Sequence, residues 1–214
     1  MEKHHYFAKV SGIYRKARDE GTGKAVKYLF KRVLMDVRPF YYMKEIFPAA
    51  VPDHLAALPD GFEFFTLTES DLETFRHHPR RDEYVDHQTM LDHLHKGDTC
   101  LGIKCKGEIV ALSWYSLIDS TAKYYPAPMG EKEAYLYDMF VFAEYRGKNL
   151  APILRYKNYQ ILHSLGRVTY YSITERANSA SLRFKQKLGA QKLFLAAYCE
   201  LFGRYKKTVI LRRY

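Results

Sequence analysis

Apolar positions along the chain fall into 3.6-period stripes and short alternating or continuous runs, and their order predicts the elements. Val26, Leu29, Phe30, Val33, Leu34 and Val37 recur at helical spacing, with Lys24, Lys27, Lys31 and Arg32 on the remaining face. Gly21 and Gly23 punctuate the start of this amphipathic helix, and Arg38-Pro39 predicts its end. An earlier helix carries Tyr6, Val10, Ile13, Tyr14 and Ala17 on one side, and Pro48, Pro52 and Pro59 mark a linker.

After Gly61 the pattern changes. Residues 62–67 predict a strand, and Thr68 or Ser70 is placed to cap a helix from about Asp71. Residues 82–96 predict a second helix with Tyr84, Met90, Leu91 and Leu94 available for burial. Strands at 100–105 and 109–117 are joined by Lys106-Gly107-Glu108, a glycine-bearing hairpin turn. A loop with Pro126, Pro128 and Gly130 leads to a strand at 135–142. A helix at 150–165 uses Leu150, Ile153, Leu154, Ile161, Leu162 and Leu165 and stops at Gly166. A strand at 168–173, a short helix at 179–188 ended by Gly189, and strands at 192–201 and 206–212 turned at Gly203 complete the chain. The order β α α β β β α β α β β is mixed α/β. Residues 1–60 form a basic helical extension and linker in this reading, and residues 61–214 form the domain.

Composition adds limits. With 214 residues, 47% of them hydrophobic, the chain has enough apolar surface for a core, and its 15% aromatic content argues against disorder. The formal charge of +10 favours an anionic partner such as a phosphorylated ligand, an acidic carrier protein or an anionic membrane surface. Nucleic acid is not expected, because no nucleic-acid motif accompanies the charge. Cys100, Cys105 and Cys199 follow neither metal nor disulfide spacing, which predicts ordinary thiols and a cytoplasmic setting. No run of about 18 apolar residues is present to span a membrane. Charge interleaved with apolar residues from Lys3 onward is unlike a signal-peptide core. The basic stripe of residues 23–37 either packs on the domain or lies on anionic lipid at the inner membrane face.

Two segments carry candidate chemistry. Glu144-Tyr145-Arg146-Gly147-Lys148-Asn149-Leu150-Ala151 lies between a predicted strand and a predicted helix. The first N–H groups of a helix lack internal partners and the helix dipole points at the turn, so such a turn suits phosphate. Gly147 is permissive, Asn149 tolerates unusual φ, and Ala151 keeps the first turn slim, while Arg146 and Lys148 add charge. Neither a Walker loop nor a dinucleotide fingerprint is present. The second segment runs from Asn178, a helix cap, through Ser181, Phe184 and Lys185 to Leu188 and Gly189. A plain β–α turn and a plain capped helix account for either string in isolation.

In combination, strand, Arg-Gly-Lys-x-x-Ala turn, helix, strand and Asn-x-x-Ser-x-x-Phe-Lys-x-x-Leu-Gly resemble the acyl-CoA-binding half of the GNAT superfamily of acyltransferases. The resemblance extends over about residues 62–214 and implies a mostly antiparallel central sheet with flanking helices. It implies acetyl-CoA, or another acyl-CoA, as donor. In that family the turn pattern is Arg/Gln-x-x-Gly-x-Gly/Ala; Arg146 and Ala151 match its ends, and Asn149 stands where glycine is usual. By the same resemblance the backbone of Gly147, Lys148, Asn149, Leu150 and Ala151 holds the pyrophosphate. Met139, Phe140 and Val141 line the pantetheine arm and offer an oxyanion donor. Asn178 bonds the pantetheine, with Ser181 and Phe184 alongside.

The family often has a tyrosine that protonates the departing thiolate where this chain has Lys185. Either another hydroxyl serves, or the thiolate leaves into a basic setting, or Lys185 lies against the phosphates. Asp138, an acid within an apolar strand, is the first candidate base, with a structural ion pair to an arginine as the alternative, and Glu175 is the second. His77, His87 and His93 fall in the segment that flanks the acceptor pocket of this family, and Tyr124, Tyr125 and the 126–130 loop precede the cofactor strand. No zinc spacing accompanies the histidines, so no metal is expected. The acceptor implied is an amine of a small molecule, a sugar or an envelope precursor. A non-catalytic acyl-CoA or partner-binding module, or an acyl-carrier-protein-dependent transferase at the membrane, remains the alternative.

Overall fold

The computed structural model describes residues 35–48, 55, 57–76, 87–120, 122–202 and 204–214. The chain divides into two compact units, residues 42–193 and residues 1–41 with 194–214.

Within residues 42–193 the framework begins with strands β2 (Phe62–Thr66), β3 (Thr99–Cys105) and β4 (Glu108–Ser116), each antiparallel to the next. The β3–β4 hairpin turns on Lys106 and Gly107, whose φ values of 52° and 83° are the pair of positive angles that a right-twisted two-residue hairpin needs. Strand β5 (Glu133–Val141) pairs antiparallel with β4, and β6 (Thr169–Glu175) pairs parallel with β5. The order continues from β6 to β1 (Met35–Ile46), of which Tyr42–Ile46 belong to this unit.

Helices α1 (Glu69–Arg76) and α2 (His87–His95) cover one face, closing a core of Leu72, Phe75, Met90, Trp114, Tyr135 and Tyr137. Helix α3 (Leu150–Ser164) covers the other, where Ile153, Tyr156 and Tyr159 pack with Ala134, Leu136 and Tyr170. Helix α4 (Ser179–Lys187) follows β6 and contacts α3. In the other unit, β7 (Gln191–Leu201), from Phe194 onward, and β8 (Tyr205–Arg213) form an antiparallel hairpin beside the first part of β1. The eight described strands and their mostly antiparallel pairings agree with the fold class expected from the sequence.

One expectation fails. The helix drawn over residues 23–37 does not extend to Val37, because Met35–Ile46 is a strand and Arg38-Pro39 lies inside it. The aromatic run Phe40-Tyr41-Tyr42 favours a pleated backbone, and Phe40, Tyr42 and Met43 are buried. Pro39 stops a helix but is tolerated near the start of a strand, so it does not discriminate between the two. Residues 1–34, with the rest of that expected helix, the expected earlier helix and the expected lipid contact, lie outside the described residues, as do 49–54 of the expected linker and 82–86 of the expected second helix. Helix α3 also buries a more polar face than its leucines and isoleucines indicate. Arg155, Asn158 and Tyr159 are buried, whereas Leu165 is exposed.

No helix among the described residues is long and apolar enough to cross a membrane.

Candidate functional site

The site grows from an irregularity in β5. Leu112 pairs with Phe140 and Trp114 with Tyr137, so Asp138 and Met139 together face the single residue Ser113. This is a β-bulge, and Asp138 sits at its pivot with φ of 42°, a left-handed conformation that aspartate adopts more readily than most residues. The extra residue reverses the alternation of the strand. Before it, Tyr135 and Tyr137 face the α1–α2 side, with Ala134 and Leu136 toward α3. After it, Phe140 and Phe142 face the α1–α2 side, with Met139 and Val141 toward α3. On the other edge of β5, the parallel pairing with β6 ends at Tyr135 and Tyr171. Asp138 and Met139 therefore have no register partner on either neighbouring strand, and the sheet opens between β5 and β6 at that level.

Two cavities occupy this opening and meet at Met139, Asn178 and Ser181. The outer one, about 610 Å³, is bounded by the end of β5, the turn into α3 and the start of α4. Met139, Phe140, Val141, Arg146, Gly147, Asn149, Leu150, Ala151, Asn178, Ser181 and Phe184 all line it; of the predicted cofactor residues only Lys148 does not, and its side chain is exposed. Gly147 has φ of 81° and nothing within 4 Å of where a Cβ would stand, so the turn backbone is open toward the cavity. Asn149 occupies the N-cap position of α3 in the left-handed conformation (φ 61°, ψ 17°) without a side-chain capping bond, a geometry that glycine adopts without strain. Pro152 in the first helical turn sacrifices no internal hydrogen bond, since N–H groups there have no partner within the helix. Arg146 turns back, donating from Nε to the Val141 carbonyl at 3.0 Å. Asn178 accepts from Ser181 N at 3.0 Å through Oδ1, which leaves its amide N–H groups to donate. An open turn backbone, a helix N-terminus and an arginine suit an elongated ligand with a phosphate at one end.

The inner cavity, about 460 Å³, lies in the opening itself, and Asp138, Glu175 and Lys185 all line it. His93 and Tyr124 line it too, whereas His87 and Tyr125 do not. His77 lies outside the described residues. Burial pushes the Asp138 carboxyl above its ordinary value, and the field of His93 partly offsets that rise. Its side chain is open to the cavity although surrounded by protein, so it meets confined rather than bulk solvent. The His93 ring packs between Trp114 and Tyr137, with centroids 5.2 Å from each, and Nδ1 stands 3.8 Å from buried Asp98. Asp98 in turn accepts from the Tyr137 hydroxyl at 2.6 Å.

Lys185 does not reach the outer cavity, so it cannot lie against phosphates bound there. Its Nζ is buried, donating to Ser172 Oγ and Thr174 Oγ1 at 2.8 Å each, and stands 3.7 Å from Glu45. Burial lowers its pKa to about 7; Glu45 opposes the shift and Arg155 reinforces it. Glu45 comes from β1, is fully buried, and accepts from the hydroxyls of Tyr159 and Ser172. Burial alone would raise its pKa, but the charges of Arg155 and Lys185 and the two hydroxyls outweigh that and hold the carboxylate below its ordinary range. Sequence reasoning missed Glu45, Arg155, Ser172 and Thr174. A signal existed for Arg155 alone, three, four and seven residues before buried Asn158, Tyr159 and Leu162.

The sequence matches the model of the acetyltransferase (GNAT) family over residues 63–190. A search of the curated proteins finds no match. Among solved structures, the chain is similar to a Drosophila protein at 19% identity (TM-score 0.55, 84% of this chain and 56% of that one). It is similar to a putative acetyltransferase from the GNAT family of Novosphingobium aromaticivorans at 18% identity (TM-score 0.51, 77% and 63%). A third likeness is to the GCN5-related glucosamine N-acetyltransferase region of a fungal multi-domain GH3 β-N-acetylglucosaminidase, at 18% identity (TM-score 0.59, 85% and 23%). The chain thus spans less than two thirds of each of these relatives. At such identities the likeness is one of fold.

Proposed function

The chain belongs to the acetyltransferase (GNAT) family, and we propose that it moves an acetyl or longer acyl group from acyl-CoA to an amine by direct attack on the thioester. The observation that carries this reading is the meeting of the two cavities at the β5 bulge. The outer cavity offers the backbone turn and helix N-terminus for the diphosphate, and the inner one holds the ionisable groups.

Arg146 and the Gly147–Ala151 backbone hold the diphosphate, while Met139, Val141, Asn178 and Phe184 flank the arm leading inward. A backbone N–H of the Met139–Val141 segment, which lines the outer cavity where it meets the inner one, donates to the oxygen that becomes anionic when the acyl carbon is attacked. Asp138, made a stronger base by burial, takes the proton that the acceptor nitrogen loses as the C–N bond forms. Lys185 gives its proton to the sulfur as the C–S bond breaks, so one proton enters the protein and one leaves it. Glu175, at the exposed end of β6, is a second proton acceptor. The acceptor is proposed to be an amine on a small molecule, a sugar or an envelope precursor. Release of free thiol from acetyl-CoA when an amine panel is added tests this reading. Thiol release that no amine accelerates in a protein that binds acetyl-CoA would leave a binding module.

A further inference from the structure

The inner cavity contains a charge that the proposed chemistry does not use. Arg155 lies in mid-α3, is 1% exposed, and lines the cavity wall. Its Nε and Nη1 are buried and have no hydrogen-bond partner among the described residues. A guanidinium carries five N–H donors in a planar fork, and burying them unpaired is strongly unfavourable. Its ion-pair partner, Glu45, stands 3.7 Å away, beyond hydrogen-bonding distance. Both Glu45 oxygens already accept hydroxyl hydrogen bonds, from Tyr159 and Ser172, and the same carboxylate is shared with Lys185. Arg155 and Lys185 thus surround one carboxylate in a desolvated pocket, and the residue with unspent donors, Arg155, borders the cavity.

We propose that the inner cavity holds a carboxylate subsite centred on Arg155, so that one of the two reactants carries a carboxylate near the reacting carbon. A carboxylate supplies two coplanar acceptors that match the unspent donors of the guanidinium fork, and its charge offsets the excess cation of the cluster while Lys185 is protonated. A phosphate carries more charge than this cluster lacks, and the outer cavity already offers a site for it. Two sources share the chemistry: an acyl donor derived from a dicarboxylic acid, or an acceptor that is an amino acid. The inference rests on the acyl-transfer reading of the two cavities.

The full chain is tested in two arms. In the donor arm, calorimetry compares succinyl-CoA with butyryl-CoA, which differ only in a terminal carboxylate against a methyl group. In the acceptor arm, thiol release from acetyl-CoA compares amino acids with their amides. The subsite predicts a preference of about tenfold or more for the carboxylate in one arm, the scale of one charge-assisted hydrogen bond. A donor preference assigns the carboxylate to the acyl group, and an acceptor preference assigns it to the amine. Arg155→Gln reduces the preference to within about twofold while acetyl-CoA binding persists. If that variant fails to fold, as its melting curve would show, the wild-type comparisons decide alone. Acyl-CoAs that bind without discrimination, together with amino acids and amides used equally, remove the subsite and leave acyl transfer intact. Failure of every acyl-CoA to bind removes both.

Discussion

Replacing Lys185 tests the proton donor most sharply. With its pKa lowered to about 7, the ammonium is a stronger acid than a cysteine-type thiol near 8.5 by about 1.5 pH units, so protonating a departing alkyl thiolate is downhill by at least about 2 kcal/mol. A lysine at its ordinary 10.5 would face a proton transfer uphill by up to about 3 kcal/mol. The difference arises from burial and from Arg155, which the hydroxyls of Ser172 and Thr174 do not neutralise. Lys185→Met removes both charge and proton, and is predicted to lower kcat by about 10²-fold or more. Lys185→Arg keeps the charge, has no transferable proton near neutral pH, and falls with it. Lys185→Tyr supplies the hydroxyl usual in the family and stays within about tenfold of wild type, with its alkaline limb moved toward the phenol range. Steady-state thiol release across about pH 6–10 is the assay, with melting curves as controls. In the wild type, kcat declines above about pH 7 as the acid form titrates away. A Lys185→Met enzyme with kcat within about threefold of wild type and an unchanged pH profile would refute the assignment.

Stability should also follow the buried charges. Lys185 titrates lower in the folded chain than its ordinary 10.5, so between about 7 and 10.5 the unfolded chain binds more protons and stability climbs with pH. Glu45 is held below 4.5 and contributes stability that is present above that value and lost as the pH falls through its folded pKa. Tm is therefore predicted to rise from about pH 6 to pH 9 in wild type and to flatten in Lys185→Met; a flat wild-type curve would contradict the buried amine. At the bulge, Asp138→Asn keeps a residue that accepts positive φ and holds Tm, whereas Asp138→Val adds about 1–2 kcal/mol of backbone strain. Both variants lose the base and both lose activity, so an Asn variant with wild-type thiol release would assign Asp138 to the bulge alone.

Much of this was legible in the sequence where one element carries the information. The turn into α3 and the Asn178 cap are local strings, and their residues converge on one cavity because a strand–turn–helix unit places them there. Asp138 was conspicuous as an acid among apolar neighbours, but period-2 alternation contains no signal of the bulge that gives it positive φ. The Glu45–Arg155–Lys185 cluster joins β1, α3 and α4 and depends on contacts more than a hundred residues apart, such as Ser172 to Glu45. The helical stripe before β1 ends close to Pro39, which punctuates helix and strand alike, so the apolar pattern does not separate the two.

The central claim, that the turn into α3 with its adjoining cavity is the donor site, is tested most directly by titrating the purified chain with acetyl-CoA in a calorimeter. Arg146→Ala and Gly147→Val are titrated alongside; the valine side chain would project into the open space above the turn, at a φ of 81° that also strains the backbone, so its melting curve is the control. The expected result is micromolar binding, about 8 kcal/mol, weakened tenfold or more in both variants while each still melts cooperatively. Absence of binding by the wild type, or wild-type affinity in both variants, would contradict it.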